Sequence, residues 1–120
     1  MFKIEDDVIY LTRGDDAEIE VSITDTDGTV YEMADGDVLT LTVRALPDAE
    51  SPVVFAVSSD STRIVITHAD TADAAVGRYS ADVQLTASGL RRTVWPDLEG
   101  SSRYSVKNLK NFVVMPEVTI

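Results

Sequence analysis

The sequence predicts an antiparallel all-β sandwich of about seven to nine strands with one short helical crossover. Three observations predict it. Apolar residues recur at every second position through most of the chain, which places them on one face of a strand and their polar neighbours on the other. Turn-forming pairs built on Gly, Asp and Pro fall between these runs. Only residues 70–75 have a helical character, with Asp70 placed to cap and Asp73 three residues on. The single polar face of each strand favours antiparallel sheets, because parallel strands are usually buried on both sides.

The elements follow in order. Residues 8–12 form a first strand, and Arg13-Gly14-Asp15 turns the chain. Ala17, Ile19, Val21 and Ile23 alternate with Glu18, Glu20, Ser22 and Thr24 in the next strand. Asp27-Gly28 supplies a tight hairpin turn into a short strand at 29–32, and Asp35-Gly36 turns again. Leu39, Leu41 and Val43 alternate with Thr40, Thr42 and Arg44. After Pro47-Asp48 come strands at 53–58 and 63–67, then the helical crossover. Tyr79, Ala81, Val83 and Leu85 alternate with Ser80, Asp82, Gln84 and Thr86, and Ser88-Gly89 turns into a strand at 90–95. Residues 96–111 are polar and alternate poorly, a long loop or arm of the kind that carries function. A last strand at 112–115 stops at Pro116, which places it at an edge or ends it there.

The 120 residues make one domain, residues 1–120, large enough to bury a core without staples. Cysteine is absent, which removes disulfides, thiol nucleophiles and cysteine metal sites. The acids at positions 5–7 give no secretory signal pattern, and the longest apolar run, residues 53–57, falls far short of a membrane span. Net charge is −11, which sets the chain against nucleic acid and anionic membranes as partners. The charge is unevenly spread. Residues 1–88 hold 5 basic and 18 acidic side chains; residues 89–120 hold 5 basic and 3 acidic.

Sites for chemistry are scarce. The one histidine, His68, stands near a strand end with no nucleophile-elbow serine motif to serve. Asp25-x-Asp27 opens like a calcium loop, but Thr29, Val30 and Gly36 stand where the loop wants a ligand, a glycine and a glutamate. A hairpin turn is the better reading, with a calcium ion held by Asp35 and Asp37 in another geometry left open. No phosphate-binding glycine motif occurs, and no catalytic residue, cofactor or metal ligand is expected.

Gly77-Arg78-Tyr79-Ser80-Ala81 resembles the tyrosine corner of immunoglobulin-like sandwiches, with Ala81 at the core-cysteine position and Ala75 where an acid is usual. An ordinary core tyrosine is the other reading. A corner implies that the Tyr79 hydroxyl bonds back to backbone near Asp73. The order of Thr12-Arg13-Gly14-Asp15, Asp25-Thr26-Asp27-Gly28 with Tyr31 after it, Gly36-Asp37-Val38-Leu39, Gly77-x-Tyr79 and Phe112-Val113-Val114 also carries a resemblance. It is similar to the immunoglobulin-like N-terminal domain of phage upper-baseplate and related tail structural proteins of Gram-positive bacteria, over roughly residues 8–120.

The resemblance implies a non-enzymatic virion component, made in the bacterial cytoplasm, that packs against copies of itself or other tail and baseplate proteins as a homo-oligomer. Those baseplate proteins continue into a long C-terminal part. The end at Ile120 is therefore expected to mark a free-standing relative or a trimmed domain. In this family the Arg13-Gly14-Asp15 tripeptide belongs to a strand-to-strand turn, not to an adhesion signal. The charge asymmetry suggests a head-to-tail contact of acidic body on basic C-terminal third. Its expected residues are Arg91, Arg92, Arg103, Lys107 and Lys110, with Tyr104 and Leu109 as apolar anchors. The alternative is a carbohydrate- or surface-protein-binding sandwich module, for which Trp95 is the candidate ligand aromatic.

Overall fold

Among the described residues, alternating apolar residues build nine strands in two sheets around one core, with one helical turn between them. The structure, a computed structural model, describes residues 2–5, 8–23, 28–46, 50–95 and 111–116. The elements are β1 (Phe2–Glu5), β2 (Val8–Thr12), β3 (Ala17–Glu20), β4 (Val38–Arg44), β5 (Val53–Ser59), β6 (Arg63–Ile66), α1 (His68–Thr71), β7 (Gly77–Ala87), β8 (Leu90–Trp95) and β9 (Phe112–Met115). The larger sheet runs β1-β2-β9-β7-β4-β5, with β8 also on β7; β3 and β6 form the smaller one.

The period of two decides which side chains are buried. Leu39, Leu41 and Val43 of β4 lie opposite Leu85, Val83 and Ala81 of β7, and all six face the core. Ile19 pairs with Ile64 and Ala17 with Ile66 in the smaller sheet, again facing inward. Val21 and Ile23 continue the inward series beyond β3, where no ladder extends. Phe55 and Phe112 meet edge to face, with ring centroids 5.6 Å apart, although β4 and β7 separate their strands.

β9 departs from the expected antiparallel pattern. The sheets are not wholly antiparallel, because β9 runs parallel to β2, with Ile9 beside Phe112 and Leu11 beside Val114. Phe112, Val113 and Val114 are all buried, so β9 is covered on both faces and its apolar run does not alternate. β9 is interior and ends before Pro116, so of the two expected alternatives the strand end holds and the edge position does not. Moreover, β8 and β9 line the same edge of β7, β8 at Val83–Ala87 and β9 at Gly77–Tyr79. They are two halves of one strand position, and the buried side chain of Asn111 fills the gap between them.

The crossover is shorter and earlier than its sequence pattern suggests. It spans His68–Thr71, and Asp70 serves as the third helical residue instead of the cap. Its Oδ2 accepts the N–H of Thr67 at 2.7 Å, the return half of a capping box. The turn connects β6 of the small sheet to β7 of the large one, as a crossover should. No ladder forms at 29–32; Val30 makes an isolated bridge and Tyr31 N–H donates to Ile23 O at 2.8 Å. β1, unforeseen, pairs antiparallel with β2.

Candidate assembly surface

The Arg13-Gly14-Asp15 turn is fastened at three backbone points. Arg13 N–H donates to Met115 O at 3.0 Å, Asp15 N–H to Thr12 O at 3.1 Å, and Gly14 N–H to the hydroxyl of fully buried Thr71 at 3.0 Å. Gly14 takes φ 85°, a left-handed conformation that a side chain disfavours. These bonds tie β2, β9 and α1 together at one end of the sandwich. Asp16 follows and binds α1 again: its Oδ1 accepts the backbone N–H of His68 at 2.5 Å and lies 3.0 Å from His68 Nδ1. The backbone N–H of His68 holds the Asp16 carboxyl below the usual range. His68 is therefore a partner of Asp16 at the start of a helical turn.

The acid-rich turns are likewise committed to structure where they are described. Asp37 is 5% exposed, and its Oδ2 accepts the Tyr31 hydroxyl at 2.5 Å and Ala34 N–H at 2.9 Å. Those two donors, the hydroxyl foremost, lower its pKa. Gly28 has φ 86°, as a tight turn after Asp27 requires; Asp25 and Asp27 lie outside the described residues. Among the described residues no three His, Cys, Asp or Glu side chains converge as metal ligands. The tyrosine corner forms: the Tyr79 hydroxyl donates to Ala75 O at 2.5 Å, so the backbone carbonyl at the usual acid's position is the acceptor.

The expected interface residues divide. Arg103, Tyr104, Lys107, Leu109 and Lys110 lie outside the described residues. Arg91 and Arg92 are exposed on β8. Adjacent in sequence, they point to opposite faces of the hairpin, Arg91 beside Thr86 and Arg92 beside Leu85. Leu90, next to them at the hairpin tip, is 73% exposed, more than any other large apolar residue described. Trp95 ends β8 opposite Val83, half-buried against the core. Residue 111, assigned to the polar arm by its composition, is buried and bonded.

The opposite charge sits on the small sheet. Glu18 and Glu20 are exposed on β3, with Arg63 of β6 between them at 3.9 and 3.8 Å. At this exposure such pairs contribute little stability. On the outer side of the large sheet, burial pushes the Asp82 carboxyl up, against the pull of Arg44.

Sequence reasoning missed one feature. β5 reads Val53-Val54-Phe55-Ala56-Val57-Ser58-Ser59, without a charge, and it is the last strand of the large sheet. Its position at an edge is what gives that composition meaning, and strand order is not legible in the residues. Comparison of the chain with family models, curated proteins and solved structures finds no match.

Proposed function

We propose that this chain is a non-enzymatic assembly module of a phage tail or baseplate, which works by docking against copies of itself or neighbouring tail proteins. The observation that carries the reading is the β7–β8 hairpin. It presents Leu90, Arg91 and Arg92 to solvent at one edge of the large sheet, where β7 is held by β4 on its other side, in a chain of net charge −11. An apolar tip flanked by cations fits an acidic receiving surface, and Glu18 and Glu20 on the small sheet supply one on a second copy. Contact of one surface with a different surface is heterologous, so repetition closes a ring or extends a stack. The resemblance of the turn order to tail structural domains supports the same class, as does a fold whose turns are bonded into the framework.

Light scattering over a salt titration tests the reading. The mass of the wild-type assembly should fall as salt screens the contact, and the double variant R91E/R92E should lower it at low salt. An assembly indifferent both to salt and to this reversal overturns the head-to-tail contact.

A further inference from the structure

We infer that β5 is a pairing edge for a second copy of this chain, joining two large sheets antiparallel across a two-fold axis. The inference deepens the assembly reading above and rests on it, adding a symmetric contact to the head-to-tail one.

An edge strand exposes a row of backbone donors and acceptors, and folded proteins usually protect it with charge. Among the described residues the open edges belong to β1, β5, β8 and the two strands of the small sheet. Four of these are charged: β1 carries Lys3 and Glu5, β3 carries Glu18 and Glu20, β6 carries Arg63, and β8 carries Arg91 and Arg92. β5 alone has no charged residue and no proline, and it is rich in β-branched and aromatic side chains. Among the described residues it ladders only with β4. Val53, at its start, is 48% exposed.

The occupant follows from charge and symmetry. Two copies of a chain at −11 repel, so a symmetric contact must form where like charges do not face each other. About a two-fold at their charged residues, β3 sets Glu18 against Glu20 and β8 sets Arg91 against Arg92 of the partner copy, whereas β5 brings no charge to such a contact. The bulge between Val43 and Arg44 of β4 is confined to the N-terminal end of β5, which leaves Phe55 to Ser59 in regular register. A two-fold at Val57 sets Ala56 across from the partner copy's Ser58 on the outer face, and Phe55 across from its Ser59 on the inner face. Both outer residues are small and exposed, so the pleats meet without crowding.

Salt separates this contact from the hairpin contact, because screening strengthens association of like-charged copies and weakens an attraction between opposite charges. Sedimentation of wild-type protein over a concentration series should show dimers that increase with salt and survive R91E/R92E. Variants A56K/S58K and A56E/S58E should each raise the dimer dissociation constant at least about a hundredfold, while an equimolar mixture restores pairing. Should either variant unfold, hydrogen exchange of wild-type protein decides: dilution should speed exchange at residues 55–59 and leave β4 unchanged. A wild-type monomer at every concentration and salt overturns the inference. So does a dimer that persists in both folded variants, or exchange in β5 that ignores concentration. Loss of head-to-tail assembly alone, with this dimer intact, would overturn the earlier contact instead.

Discussion

The side-chain amide of Asn111 pairs with both backbone polar groups of Ala81: Oδ1 accepts Ala81 N–H at 2.6 Å, and Nδ2 donates to Ala81 O at 2.8 Å. A neighbouring strand would make the same two bonds with its own peptide groups. Here β8 has ended and β9 has not begun, so a side chain substitutes for the missing strand segment at the centre of β7. Asn111 is 2% exposed, and its backbone O accepts Ile9 N–H at 2.8 Å, which also anchors β2. The backbone polar groups of Ala81, between the β8 and β9 ladders, are therefore not left unpaired.

Asn111→Ala removes both bonds and strands two buried backbone groups. Urea denaturation should show a loss of about 2–4 kcal/mol, since each orphaned group costs about 1–3 kcal/mol. A loss within error of zero would mean that water or a backbone shift serves Ala81 equally well. Asn111→Asp keeps an acceptor for the N–H but sets a carboxylate against the carbonyl, so it should destabilise more at neutral pH than in acid.

Tyr79→Phe tests the corner alone. The ring stays in the core and only the bond to Ala75 O is lost, so the expected cost is about 0.5–1.5 kcal/mol with unchanged secondary structure by circular dichroism.

Asp37 and Asp82 predict opposite pH behaviour. The folded pKa of Asp37 is depressed, so its contribution is present above the unfolded carboxylate value of about 3.9 and disappears as pH falls through the folded value. Tyr31→Phe should reduce stability above that range and flatten the acid limb. The folded pKa of Asp82 is raised, so ionisation works against the fold as pH rises. Asp82→Asn should therefore stabilise the protein at neutral pH, with the gain vanishing once Asp82 is protonated in both states. Thermal melts across an acid-to-neutral series check both signs.

Gly14→Ala probes the turn between β2 and β3, where three backbone N–H groups are bonded. A Cβ at φ 85° is strained, with an expected cost of about 1–2 kcal/mol in denaturant titration.

Trp95→Ala should cost about 1–2 kcal/mol, because the half-buried indole packs on the core. Fluorescence of wild-type Trp95 that sugars quench, with the fold intact, would favour the carbohydrate-binding reading over assembly.

Alternation by itself marked most of the strands and their inward faces, though the expected strand at 29–32 forms no ladder. Val8–Thr12 and Leu90–Trp95 carry the bounds their patterns predict, and Leu39, Leu41 and Val43 are buried as their spacing requires, because a side-chain period of two is a local property of extended backbone. Composition likewise marked residues 96–111 as polar, but it could not distinguish Asn111, whose partner Ala81 is thirty positions away. β1 escaped notice because four residues with Lys3 and Glu5 among them carry too little pattern, and β2 supplies the ladder that makes them a strand. The parallel pairing of β9 with β2 and the open edge of β5 were decided only by tertiary structure. Each depends on which strands become neighbours, and neighbours are chosen by the shared burial of distant apolar faces rather than by any residue's local preference.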